Sequence, residues 1–488
     1  VMKFSQISPN AIATAVVAAI ATLSSAPALA KSDDASIALP ASLPTKPGGE
    51  MTMKRISTRS YIFPGESVKG KAKLDFWTGF SLFRDPWVIA PSSTKDRDGL
   101  GPLFNARSCV ACHQGGSRGR MSKPGEYLPT SLLIRLGPIA ERYASEKYTN
   151  GHNYGGQIQP RAIKFNHGRL EKSPVGEAWL DLSYKTIDGE YADGTPYQLQ
   201  KPSYQLTRLA YGEISEGIAP SPRFSPNVYG AGLLDAISEH DLLAQEDADD
   251  TNGDGISPRY NRAADHVNGG IGVGRFGLKA KHPSLKQQVV AAFRDDIGIT
   301  NNVFPQESCE AAQLECFAAS KLGGHKSVEI PDKLVNLVMA FSQHLGVPPT
   351  RNPQSPPALK GRQLFNQLGC ASCHTPSYTT ASNYPDNNLA NQTIWPYTNL
   401  ALHDMGEGLA DGAMEGQATG REWRTPPLWG IGLQQAVLGE ARYLHDGRAR
   451  SIEEAVLWHG GEALPAQQKF KQLSAQERNA LLTFLHSI

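Results

Sequence analysis

The sequence predicts a mainly α fold of two similar units, with long loops and minor β additions, and three observations predict it. A five-residue pattern, Cys-x-x-Cys-His, occurs twice, as Cys109-Val110-Ala111-Cys112-His113 and as Cys370-Ala371-Ser372-Cys373-His374. The same lead-in, Leu-Phe-Asn, stands ahead of each copy, at Leu103-Phe104-Asn105 and at Leu364-Phe365-Asn366. An amphipathic helical stretch follows each copy, over 331–345 and over 474–485.

The five-residue pattern carries what is needed to fasten a c-type haem. Two thiols add across the haem vinyl groups, and the adjacent histidine becomes the proximal ligand to iron. Two other uses of paired cysteines compete. A zinc knuckle shares one ion between cysteine pairs, but these pairs lie far apart and each is followed at once by histidine. A thioredoxin-like redox pair does not require the histidine. Two cytochrome c-like haem domains are therefore expected, with two covalently bound haem c groups held by Cys109, Cys112, Cys370 and Cys373, and with His113 and His374 on the irons.

The helices follow from spacing. Pro331-Asp332-Lys333 opens a stretch with Leu334, Leu337, Val338, Phe341 and Leu345 on one face, ended by Gly346 and Pro348. Ser474-Ala475-Gln476-Glu477 is a capping box, and Leu481, Leu482 and Leu485 follow it. Alternation at Glu177–Leu182 and Tyr204–Leu209 predicts short strands. The layout expected is a leader at 1–30, an N-terminal extension at 31–95, a first haem domain with insertions at 96–346, a Pro-rich linker at 347–357, and a second haem domain at 358–488.

A chain of 488 residues has room for two or three domains. Lys and Arg number 48 against 47 Asp and Glu, so the charge balance gives no reason to expect nucleic acid as a partner. The 47 glycines and 34 prolines predict long irregular loops around the cofactors. Lys3, the apolar run Ala11–Leu23 and the A-x-A site Ala28-Leu29-Ala30 predict a cleaved secretory signal, with a mature start near Lys31. A membrane anchor is the competing reading, but Thr14, Thr22, Ser24, Ser25 and Pro27 break the run. No later segment is apolar enough to span a bilayer, and the periplasm is the expected compartment. In an oxidising compartment Cys309 and Cys316 are expected to form a disulfide, with a free-thiol redox pair as the alternative. Asp250, Asn252 and Asp254 have the D-x-N-x-D-G spacing of a calcium loop over 250–261, although position twelve is Asn261. A polar turn is the plainer reading of that stretch.

Taken with the segments Gly99–His113, Tyr154-Gly155-Gly156-Gln157, Leu402-His403-Asp404-Met405-Gly406, Trp423–Trp429 and Tyr443-Leu444-His445-Asp446-Gly447-Arg448, the chain resembles the bacterial di-haem cytochrome c peroxidase superfamily. Within it the likeness is to the branch of di-haem oxidoreductases also called thiol oxidoreductases. The likeness runs over roughly 70–488. It implies that the second axial ligand of the C-terminal haem follows the His-Asp-Gly turn by about fourteen residues, at His459, with Met405 the runner-up. It implies a glutamate over the open face of the N-terminal haem, at Glu171, with Gln157 or Gln159 holding peroxide and Arg161 stabilising the leaving oxygen. His152 and His167 are alternative sixth ligands there. The tryptophan that such peroxidases place between haems has no clear counterpart. Tyr148, Tyr154 and Trp179 lie in that region, and Trp423, Trp429 and Trp458 lie near the second motif.

The function the resemblance implies is reduction of hydrogen peroxide at the N-terminal haem. Electrons would be relayed by a bis-His C-terminal haem from a small redox protein of cytochrome c or cupredoxin type. Two others stay open: peroxide-dependent oxidation of a protein or organic substrate, and a non-catalytic electron carrier.

Overall fold

Two helix crossings frame the molecule, and a glycine permits each. A computed structural model of the chain describes residues 42–121, 131–140, 153–164, 172–321 and 327–488. Its main helices are α1 (Gly70–Arg84), α2 (Leu285–Ile297), α3 (Asp332–His344), α4 (Pro356–Gln367), α5 (Ile452–Leu457) and α6 (Ala475–Ser487). Helix α1 crosses α3 at Gly79, where a Cβ would lie 1.9 Å from the Leu337 carbonyl oxygen and 3.0 Å from Phe341 Cβ. Helix α4 crosses α6 at Gly361 in the same way, where a Cβ would lie 2.0 Å from the Ala480 carbonyl oxygen and 2.7 Å from Phe484 Cβ. One turn after each glycine stands a phenylalanine. Phe83 packs on Phe341 with ring centres 4.8 Å apart, and Phe365 packs on Phe484 at 5.4 Å.

The apolar spacing of 331–345 does form a helix, with Val335, Val338, Met339 and Phe341 buried. The capping box at Ser474 and Glu477 is present at the start of α6. Helices α2 and α5 start alike. Ser284 Oγ accepts from the Gln287 amide at 3.2 Å, and Ser451 Oγ accepts from the Glu454 amide at 3.0 Å. The cores divide along the same lines. Phe76, Val290, Phe293, Val338 and Phe341 belong to one cluster, and Phe365, Ile452, Leu457, Leu481 and Phe484 to another.

The expectation of a mainly α fold with two cytochrome c-like domains is not met. About 30% of the described residues are helical and 18% are strand, in many small sheets. Strand β1 (Leu132–Pro138) lies between β2 (Gln157–Ile158) and β5 (Ile218–Phe224), antiparallel to both. Strands β3 (Trp179–Glu190) and β4 (Pro196–Thr207) form a hairpin. Strand β6 (Leu402–Asp404) pairs with β7 (Glu422–Arg424), and three further two-stranded ladders occur among the described residues. The physical reason is backbone hydrogen bonding. Long segments rich in glycine and proline run between the helices, and their buried amides and carbonyls pair in short ladders rather than helical turns.

The hairpin is longer than the two short strands read from alternation, at 12 residues on each side. It reaches the α4–α6 half of the molecule. Tyr204 donates to Asp446 Oδ2 at 3.0 Å, and the Gln200 amide donates to Glu454 Oε1 at 2.7 Å. Residues Ala41–Ile488 form one compact unit. The leader expected at 1–30 lies outside the described residues. Among the described residues no helix is long and apolar enough to cross a membrane. Cys309 and Cys316 are joined in a disulfide.

Candidate functional site

A cavity of about 610 Å³ lies between the two halves, and both Cys-x-x-Cys-His segments line it. Cys109, Cys112, Cys370 and Cys373 all stand on its wall, and none of the four is in a disulfide. Burial pushes the Cys109 and Cys370 thiols up to about 12. Phe83 and Phe365 reach the same wall beside the motif histidines, with ring centres 6.4 Å from His113 and 6.3 Å from His374.

Three cavity histidines are held in one tautomer. His113 Nδ1 donates to the Pro226 carbonyl at 2.8 Å, His374 Nδ1 to the Tyr397 carbonyl at 2.9 Å, and His459 Nδ1 to the Ala455 carbonyl at 2.7 Å. A carbonyl only accepts, so in each ring the proton sits on Nδ1 and the Nε2 lone pair is left for the cavity. Burial keeps all three rings neutral, with His374 drawn down to about 3. Such an anchored Nδ1–H is how a metal-binding imidazole is oriented.

A fourth cavity histidine, His282, is held the other way. Gln287 Oε1 accepts from the His266 amide at 2.8 Å, and its Nε2 donates to the Ala264 carbonyl at 2.9 Å. The second hydrogen on that nitrogen faces His282 Nδ1 at 3.3 Å. His282 Nδ1 must therefore accept, which places the ring proton on Nε2. Burial draws His282 down to about 3, so this ring is a neutral hydrogen-bond donor. His403 is occupied at both nitrogens, by Glu462 Oε2 at 2.7 Å and by Asn399 Nδ2 at 2.9 Å.

The two capped helices present the same register to the cavity. Counting from Ser451, positions one, four, five and eight are Ile452, Ala455, Val456 and His459, and all four line the cavity. Counting from Ser284, the same positions are Leu285, Gln288, Val289 and Ala292, and all four line it too. The crossing helices agree, since Val338 and Ser342 of α3 and Leu481 and Leu485 of α6 face the cavity, each one residue past the glycine contacts. Where one half carries His459, the other carries a methyl group.

Helix α2 continues one turn to Asp296, which lines the cavity and lies close enough to Cys109 and Cys112 to raise both thiols. Asp296 Oδ1 accepts from Gln157 Nε2 at 2.8 Å. Burial pushes Asp296 up to about 6, with Asp295 adding to the rise and Arg135 and Gln157 opposing it. Its neighbour Asp295 is ion-paired with Arg135 at 3.2 Å and Arg294 at 2.7 Å, and these arginines hold it down to about 2 despite burial.

The residues expected to handle peroxide are placed as follows. Gln157 lies on β2 with its amide nitrogen shared among Asn105, the Asp295 carbonyl and Asp296. Gln159 donates its side-chain amide to Ser308 Oγ at 3.0 Å. Arg161 donates to the Asn105 carbonyl. None of the three is on the cavity wall; Gln157 reaches the cavity only through Asp296. Glu171, His152, His167 and Tyr148 lie outside the described residues. Met405 and Trp423 line the cavity, and Trp423 stacks on His445 with ring centres 3.8 Å apart.

In the 250–261 loop the side-chain oxygens accept from the loop's own amides. Asp250 takes Gly255 N, Asn252 takes Asp254 N, and Asp254 takes Ile256 N. Among the described residues, no group of three or more His, Cys, Asp or Glu side chains is gathered as a metal site. Two cavity arginines carry a buried Nε that meets no acceptor among the described residues. Arg118 donates through Nη2 to the Leu444 carbonyl and Arg275 through Nη1 to the Asp235 and Ile237 carbonyls.

Of these residues, Asp296, Gln288, Ala292 and His282 escaped sequence reasoning. A signal existed for the first three. The serine cap recurs at 284 and 451, and laying one helix on the other sets Ala292 against His459.

A family model described as "Di-haem oxidoreductase, putative peroxidase" matches residues 44–488. No curated protein matches the chain.

Proposed function

The chain belongs to the di-haem oxidoreductases, and from that membership we propose that it reduces hydrogen peroxide at one of two unequal haem sites. Cys109 and Cys112 would hold one haem by thioether bonds, and Cys370 and Cys373 the other. The Nε–H groups of Arg118 and Arg275, which meet no acceptor among the described residues, suit the propionates that a haem brings, so the residues present fit this cofactor. Each haem, when bound, supplies an iron that takes up and gives up one electron.

His374 and His459 would close the C-terminal site from both sides, leaving it to hold and pass electrons. His113 would hold the N-terminal haem from one side only. The single observation that carries this reading is the eighth position after each serine cap: His459 in one half, Ala292 in the other. Per peroxide, two one-electron donor proteins are oxidised, two protons are taken up, and two waters leave. The leader read at 1–30 puts this reaction in the periplasm, with a small reduced redox protein as donor. Calcium at Asp250, Asn252 and Asp254 rests on spacing alone and has no part in this scheme.

Absorption and EPR spectra of the haem-loaded protein test the reading. One low-spin and one high-spin iron are expected, with the high-spin signal responding to peroxide. His459→Ala should convert the low-spin iron and leave the other alone. Two low-spin irons in every redox state would make the protein a carrier and end the peroxidase reading.

A further inference from the structure

The proposed vacancy over His113 leaves open which groups of this chain would serve it, and helix α2 supplies two. Residues four apart on a helix share a face, about 6 Å apart along the axis. Gln288 stands one turn before Ala292 and Asp296 one turn after it, and all three line the cavity. Gln288 Oε1 is buried and has no hydrogen-bond partner among the described residues. Asp296 has one oxygen fixed by Gln157, while Oδ2 takes no hydrogen bond from the described residues. The amide that fixes it is itself fixed by Asn105, which ties Asp296 to the segment leading into Cys109.

We propose that Asp296 is the proton-transferring residue of the N-terminal haem site, with Gln288 holding the bound oxygen ligand from the far side of Ala292. The proposal rests on the unequal-haem reading above. Oδ2 takes the proton from the peroxide oxygen that approaches the metal. The O–O bond then breaks, and the same proton passes to the departing oxygen, which leaves as water. The oxygen left behind becomes the second water on taking two protons from solvent and two electrons from the donor protein. Asp296 suits this task because its neighbours treat the two adjacent aspartates differently. Arg135 and Arg294 keep Asp295 ionised, whereas Asp296 lies near neutrality. The groups facing Asp296 are Arg135 from β1, Gln157 from β2, Asp295 on its own helix, and Cys109 and Cys112 of the motif.

Asp296→Asn tests this in the haem-loaded full chain. Asparagine keeps an oxygen for the Gln157 amide and loses only the ability to carry the proton. Two readouts are taken. One is the rate of reaction with peroxide. The other is the rate of cyanide binding, in which hydrogen cyanide must give its proton to a nearby base. The parent rates should rise through about pH 6 as the carboxylate forms. In Asp296→Asn both rates should fall about 100-fold or more, and the inflection should vanish, with the resting spectra unchanged. Asp296→Ala covers the case of a misfolded asparagine variant, and added formate should restore part of its rate, which no packing role would allow.

Rates within twofold of the parent in Asp296→Asn, or no formate rescue in a well-folded Asp296→Ala, would overturn the proposal. A parent that binds cyanide with this dependence yet consumes no peroxide would keep the assignment of Asp296 and remove the peroxidase reading. A parent that takes up neither ligand has no vacancy at Ala292, which would overturn both.

Discussion

Copying the proposed closed site into the half proposed to be open is the sharpest perturbation available. The double variant Gln288→Ala/Ala292→His reproduces at positions four and eight of α2 the Ala455/His459 pair of α5. The new imidazole enters a cavity of about 610 Å³ and replaces the side-chain bulk removed at 288, so strain should stay near about 1 kcal/mol, the low end for added core volume. If the ring binds, peroxide must wait for it to leave. The rate then falls by the ratio of closed to open forms, and a hundredfold fall corresponds to about 2.7 kcal/mol in favour of closure. Stopped-flow mixing with peroxide gives the rate, and EPR gives the spin state. The expected result is loss of the high-spin signal together with at least a hundredfold slower reaction. A double variant that folds, loads two haems and keeps the high-spin signal would refute the equivalence of positions 292 and 459.

Two more predictions concern the frame. Gly79→Ala and Gly361→Ala should each lower stability by about 1–3 kcal/mol despite alanine's better helix propensity, because the added methyl meets a backbone carbonyl at 1.9 Å and 2.0 Å; urea midpoints check this, and either variant matching the parent would refute the tight crossing. Asp295 sits near 2 in the folded protein, below its ordinary value of 3.8, so its contribution is full above pH 4 and is lost as pH falls through about 2. About 2 kcal/mol should disappear over that window, and Asp295→Asn should flatten that part of the stability curve.

Much of this was open to reading in the chain itself, for identifiable reasons. The Cys-x-x-Cys-His pattern is local, so five residues carry the whole signal at 109–113 and again at 370–374, and both copies line the cavity. The helices α3 and α6 follow from spacing, although α3 buries Val335 and Met339 where the spacing named Leu334 and Leu337, and the cap at Ser474 and Glu477 is a contact between near neighbours. The β content was harder. Its ladders run two to seven residues outside the long hairpin, too short for alternation to stand out from a loop. Gln157 and Arg161 enter the reading through the family resemblance. Their side-chain nitrogens bond to Asn105 and the α2 terminus, contacts across more than fifty residues of chain.

Ala292 shows why the rest stayed hidden. The proposed reactive site, made by leaving a ligand out, has no motif, because alanine on a cavity-facing helix position is what packing alone would select. Only comparison with the other half gives the methyl group a meaning, and the chain obscures that comparison. Gly230 and Gly430 each open a short helix in the left-handed conformation, at φ 74° and 72°; from the first to the cap at Ser284 there are over fifty residues, and from the second to Ser451 there are twenty-one. The insertion moves the two helices out of step in sequence while the serine caps and the Gly79 and Gly361 crossings keep them in step in space. Chemistry can then diverge at one position without disturbing the frame, since His459 and Ala292 each face the cavity and neither supports a crossing. The same logic makes Asp296 an unremarkable acid in the sequence and a poised one in the fold. On an isolated helix it would face water beside Asp295, whereas here Arg135 reaches one of the pair directly and the cavity receives the other.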